Sequence, residues 1–73
     1  MKTKVGILGG GESGVGAALL AQQEGYEIFL SDAGTLKDKF RKELEAAGLK
    51  YEEGSHDRIL DFKPAVLVKS PGI

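Results

Sequence analysis

Seventy-three residues allow one small domain, and a chain of this size buries only about 60% of the surface its unfolded form exposes. Ten basic residues against eleven acidic ones leave a formal net charge of −1, which makes no electrostatic case for nucleic acid. There is no cysteine, hence no disulfide framework and no thiolate metal site; His56 alone cannot hold a metal, and no apolar run approaches a membrane span. Met1-Lys2-Thr3-Lys4 starts like a signal peptide, but Val5 to Leu8 is too short for its apolar core. The composition predicts a soluble cytoplasmic domain with neither nucleic acid nor membrane as partner.

Lys4 to Leu8 is short, apolar and ended abruptly by glycine, which predicts a fully buried parallel strand. Gly9-Gly10-Gly11-Glu12-Ser13-Gly14 follows, matching G-x-G-x-x-G at Gly9, Gly11 and Gly14. The first glycine allows a tight turn off the strand. The second leaves no side chain between backbone and a diphosphate, and the third lets the following helix pack close. That helix is expected from about Ser13 to Glu24, with Ser13 as cap, Val15, Leu19 and Leu20 towards the sheet, and Gly25 as stop. Its first turn offers free N–H groups and the positive end of the macrodipole to an anion. A glycine-rich turn also has a purely structural use; the strand before it and the helix after it are the context a phosphate cradle requires.

Tyr26 to Leu30 predicts a second strand ending at Ser31-Asp32, and Ala33-Gly34 a turn. Thr35 is the expected cap of a second helix running to about Ala47, one-sided through Leu36, Phe40, Leu44 and Ala47 and stopped by Gly48. Its charged residues, Lys37 to Glu45, read as a solvated face. Leu49 to Glu53 predicts a short third strand. Gly54-Ser55-His56 turns into a brief helix through Arg58, Ile59 and Leu60, with Ser55 as cap and His56 as an exposed turn residue with no carboxylate or nucleophile spaced to serve it. After Pro64, Ala65 to Val68 predicts a fourth buried strand, and the chain closes Lys69-Ser70-Pro71-Gly72-Ile73.

Strands alternating with helices predict an α/β, Rossmann-like parallel sheet over residues 1–73, four strands in the order 3-2-1-4 with flanking helices. Ligands of such sheets bind at the carboxyl ends of the strands, beside the point where the strand order reverses. The glycine turn, Asp32 and Ser70-Pro71-Gly72 converge there. Asp32 lies about 18 residues beyond Gly14, where a dinucleotide fold carries its ribose-binding acid. Its alternative role is to hold loop N–H groups. Ser31 and Ser70, at strand ends, have backbone hydrogen bonding as their simplest use. No G-x-x-x-x-G-K-[ST] loop is present, and no serine or lysine sits in a nucleophile arrangement. The chain stops just after a core strand, as expected of a piece of a longer protein.

Three stretches together carry a resemblance: Gly9-Gly10-Gly11-Glu12-Ser13-Gly14-Val15-Gly16-Ala17-Ala18, then Gly25 to Asp32, then Lys69-Ser70-Pro71-Gly72-Ile73. They resemble the N-terminal domain of the UDP-N-acetylmuramoyl-L-alanine:D-glutamate ligases, the MurD family, with the closing S-P-G-I the most telling element. The resemblance implies a three-domain ligase of peptidoglycan synthesis. Its N-terminal domain holds the UDP end of the muramoyl substrate without NAD, and ATP and magnesium bind on its central domain. The reaction it implies runs through an acyl-phosphate attacked by the amine of D-glutamate. Carried over by residue, the diphosphate contacts fall on Gly11, Glu12, Ser13 and Gly14. Asp32 and the backbone of Ala33 face the uracil, while Ser70, Pro71 and Gly72 line the uridine pocket. Family members often place a hydroxyl or basic residue after the aspartate, where this chain has Ala33-Gly34. The competing reading, an NAD-binding module of an oxidoreductase or a regulatory nucleotide sensor, fits the same fold and glycine turn. By either reading the 73 residues alone carry no catalytic or metal-binding residue, and their partners are the nucleotide-linked ligand and the remaining domains of the same chain.

Overall fold

The computed structural model describes residues 2–69. Strands and helices alternate: β1 (Lys4–Leu8), α1 (Glu12–Gln23), β2 (Glu27–Asp32), α2 (Asp38–Ala46), β3 (Lys50–Glu53), α3 (Asp57–Phe62) and β4 (Val66–Lys69). The four strands form one parallel sheet in the order β3-β2-β1-β4. Both the α/β class and the strand order agree with the sequence reading. The order reverses between β1 and β4, and β1 sets the register with Ile7 opposite Leu30 and Val68.

Side chains alternate across a strand, so each strand feeds two layers. On one face Val5, Ile7, Ile28 and Leu30 pack with Val15 and Ala18 of α1 and Phe40 and Leu44 of α2, together with Leu36 and Leu49. On the other face α3 comes so close to β1 that a Cβ on Gly6 would meet Ile59 Cδ1 at 2.9 Å. Phe62 packs on Phe29 there, ring centroids 5.4 Å apart, with the Arg58 guanidinium over the outer side of Phe29.

Several local expectations are corrected. α1 turns Val15 and Ala18 to the core and leaves Leu20 60% exposed, because a helix over a narrow sheet buries one stripe at three-to-four spacing. Its cap is Gly11 and no side chain caps it, so Ser13 lies inside the first turn. α2 starts at Asp38 with Lys37 as cap, so Thr35 belongs to the preceding loop. Among the described residues β4 is an edge strand rather than a buried one: Leu67 is 55% exposed, and Val66 and Val68 are also open. A continuous apolar run signals burial on both faces, but α1 lies over β1 and β2, and α3 over β1 and β2, so β4 is left uncovered.

Candidate functional site

The site is assembled where β1 leaves the sheet. Gly9, at φ 104°, makes a turn that other residues adopt only under strain, and its N–H donates to the Ser31 carbonyl at 2.8 Å. Gly10 is buried beneath the loop after β2; a Cβ there would lie 1.9 Å from Leu36 Cδ2. Gly11 is the opposite case, since among the described residues a Cβ on it would meet no atom within 4 Å. The helix then begins, and its first internal bond runs from the Val15 N–H to the Gly11 carbonyl. The N–H groups of Glu12, Ser13 and Gly14 therefore have no helical acceptor. Gly11, Glu12 and Ser13 are exposed and Gly14 is buried. This is an open row of donors at the positive end of a twelve-residue helix.

Asp32 ends β2 and reaches back to this turn. Its Oδ2 accepts the Gly10 N–H at 2.6 Å and its Oδ1 accepts the Gly34 N–H at 2.8 Å. The carboxylate thus plays the backbone-holding role that was its alternative reading. Among the described residues each oxygen takes one donor, and a carboxylate oxygen has a second lone pair to offer. Ala33, next in the chain, is exposed. Gly11, Glu12, Ser13, Gly14, Asp32 and Ala33 are gathered at one end of the sheet through the Gly10–Asp32 bond. Ser70, Pro71 and Gly72 lie outside the described residues; Lys69, paired in register with Leu8, is the last one described.

Two consecutive glutamates of β3, Glu52 and Glu53, point to opposite faces and fasten the site from behind. Glu53 Oε1 accepts the Leu36 N–H at 2.7 Å and Arg41 Nη2 at 2.9 Å, while its Oε2 accepts Arg41 Nε at 3.1 Å. Arg41 also donates to the Leu36 carbonyl at 3.0 Å and to Asp38 at 2.6 Å. The forked pairing with Arg41 holds the Glu53 carboxyl below its ordinary range and raises Arg41 in turn.

Glu52 is only 6% exposed. Its carboxylate accepts the Arg58 N–H at 2.9 Å, the Ile59 N–H at 2.8 Å and the Ser31 hydroxyl at 2.9 Å. Burial pushes this carboxyl up, but the hydrogen bonds outweigh burial and the net shift is downward. Glu52 therefore does the capping of α3 that was expected of Ser55, whose hydroxyl accepts the Asp57 N–H at 3.4 Å and donates to Glu52 Oε1 at 3.4 Å. His56 is exposed, as expected, yet its Nδ1 meets Ser31 Oγ, so a serine, a histidine and a glutamate come together that no sequence spacing announced. Ser31 is completely buried, which denies a substrate access to its hydroxyl; the trio is a structural joint.

A family model described as the MurD N-terminal domain matches residues 4–73. The chain belongs to that family. Among curated relatives, the UDP-N-acetylmuramoylalanine--D-glutamate ligase of Christiangramia forsetii is 47% identical over 73 residues, 100% of this chain and 16% of the relative. Proteins of the same name from Cytophaga hutchinsonii, at 47%, and Porphyromonas gingivalis, at 45%, match over the same shares. The chain thus spans 16% of the length of these relatives. In this MurD N-terminal domain no described helix is long and apolar enough to cross a membrane. Among the described residues no group of three or more His, Asp or Glu is placed to hold a metal ion.

Proposed function

We propose that this domain holds the UDP end of UDP-N-acetylmuramoyl-L-alanine for a cytoplasmic ligase of peptidoglycan synthesis that adds D-glutamate at the expense of ATP. The observation that carries the reading is the open donor row Gly11–Gly14 beside Asp32, on a chain that the family model matches over residues 4–73. A diphosphate brings negative charge and acceptors only. The first-turn N–H groups, which have no helical acceptor, and the helix dipole complement both, and Gly11 keeps the approach clear. Asp32 then faces the base with an acceptor, which suits the N3–H of uracil. Ala33 contributes backbone, and Ser70, Pro71 and Gly72 complete the uridine pocket by the same family resemblance.

ATP and magnesium belong, on this reading, to other domains of the full-length protein, as does the bond-forming step. The residues described here bind and orient; none is assigned a proton or a nucleophile. The test is a titration of the intact protein with UDP, followed through backbone amide resonances. The expected result is shifts concentrated on residues 9–14 and 32–34. Saturable binding that leaves residues 9–16 unmoved would remove the cradle from the account.

A further inference from the structure

The loop between β2 and α2 is held far more tightly than a loop of exposed small residues requires. Leu36 is bound at both backbone groups by one ion pair, its N–H to Glu53 and its carbonyl to Arg41. Gly54, next to Glu53, donates to the carbonyls of Asp32 and Gly34 at 2.8 and 3.1 Å. The Leu36 side chain is buried at 3% exposure, and it fills the space that a side chain on Gly10 would need. Gly10 in turn donates to Asp32 at the start of the same loop. These contacts form a closed circuit from the end of β3, through Leu36 and Gly10, to Asp32.

We propose that Arg41 and Glu53 are positioning residues of the nucleotide site: their forked pair seats Leu36 on Gly10 and thereby presets the glycine turn and the Asp32 carboxylate before ligand arrives. Neither residue needs to touch the ligand. Arg41 suits the task because its planar fork can grip a carboxylate with two donors and still reach the Leu36 carbonyl, which a lysine cannot do at once. An ion pair that keeps more than a quarter of each side chain in solvent adds modestly to stability. A pair that closes a loop onto a binding turn acts on the site instead, because geometry that is already set need not be ordered on binding. The ligand in this inference rests on the proposed function, whereas the preset loop is independent of it.

The test compares the intact wild-type protein with Arg41→Met and Glu53→Gln, the second variant keeping nearly the same shape. Without ligand, hydrogen exchange should speed up by about tenfold or more at Gly10, Gly34 and Leu36 and stay unchanged at Ile7 and Leu30 in the sheet. With UDP, each variant should bind about tenfold more weakly. Combining Arg41→Met with Asp32→Asn should cost clearly less than the two separate losses multiplied, because both act through one circuit. Unchanged exchange at Gly10 and Gly34, faster exchange spread evenly through the sheet, or strictly multiplicative losses would each overturn the proposal. If the wild-type protein does not bind UDP, the functional reading fails, and the exchange pattern still decides whether the pair presets the loop.

Discussion

The carboxylate of Asp32 accepts the N–H of Gly10 at 2.6 Å, joining the end of the second strand to the turn that leaves the first. The bond divides the glycines of that turn into two kinds. Gly10 is glycine for the sake of the protein, since a side chain there collides with Leu36; Gly11 is glycine with nothing of the described residues in the way.

Gly10→Ala should therefore cost stability and Gly11→Ala should not. Displacing Leu36 from a packed site is worth about 1–3 kcal/mol, whereas alanine fits the extended backbone of Gly11. Urea denaturation of both variants checks this. The ligand effect runs the other way: Gly11→Val should abolish UDP binding while the cooperative unfolding transition is retained. Equal destabilisation by alanine at the two positions would contradict the division.

Glu52 gives a prediction with a definite pH window. Its folded carboxyl titrates below the ordinary range, so the stability this provides is fully present above the unfolded value, about 4.3. It is lost as pH falls below that value and through the lower folded one. Thermal unfolding from pH 7 down to pH 3 should show a steep loss below about pH 4.3, shared with Glu53, which shifts in the same direction. Glu52→Gln should flatten part of that slope. It should also lower stability at neutral pH by about 1–3 kcal/mol, since buried donors from Ser31, Arg58 and Ile59 lose a charged acceptor. An unchanged acid slope in Glu52→Gln would show that the buried carboxylate does not carry the effect.

The layering of the fold was legible in the sequence, and the fastening of the site was not. Val5 to Leu8 and Ile28 to Leu30 are apolar runs cut off by glycine or by a polar pair, and such runs become central parallel strands wherever helices cover both faces. Ser13, Thr35 and Ser55 read as caps because they are short polar residues next to helix starts. The structure caps α3 with Glu52, leaves α1 and α2 without a side-chain cap, and uses Glu53 to hold the loop before α2. In a strand written Tyr51-Glu52-Glu53 both carboxylates look solvent-facing. Only the parallel pairing of β3 with β2 reveals that one points at the start of α3 and the other at the loop before α2. The same limit explains Ala65 to Val68, whose composition records apolarity but not whether a helix lies above it.

Lys63 ends α3 at φ 54°, a left-handed conformation in which glycine is the usual residue. Relief of that strain, about 1–2 kcal/mol, exceeds the backbone entropy that glycine adds, about 0.5–1 kcal/mol. Lys63→Gly should therefore stabilise the protein slightly, seen as a higher urea midpoint at an unchanged slope. A fall in the midpoint would show that the lysine side chain contributes packing that outweighs its strain.

Glu12 places a negative side chain on the first turn of α1, beside the donor row. It favours the empty helix and opposes a diphosphate arriving at the same end. Charge at a helix terminus is worth about 0.3–1 kcal/mol, so Glu12→Gln should tighten UDP by roughly two- to fivefold and lower stability slightly. Calorimetric titration at low salt reads the first effect. Weaker binding in the variant would mean that the carboxylate contacts the ligand favourably.

The proposed UDP site turns on what Asp32 reads. With two of its lone pairs taken by Gly10 and Gly34, it still offers acceptors to the N3–H of uracil, while cytosine presents a bare acceptor at the same place. A hydrogen bond to a charged group is worth about 1.5–3 kcal/mol, which is at least about tenfold in affinity. The deciding measurement is one competitive titration of the intact protein with UDP, CDP, 2′-deoxy-UDP and NAD under the same conditions. UDP and 2′-deoxy-UDP should bind alike, CDP at least about tenfold more weakly, and NAD weakest of all. Equal binding of UDP and CDP, with 2′-deoxy-UDP impaired and NAD tighter than any of them, would contradict the account and make this a dinucleotide site.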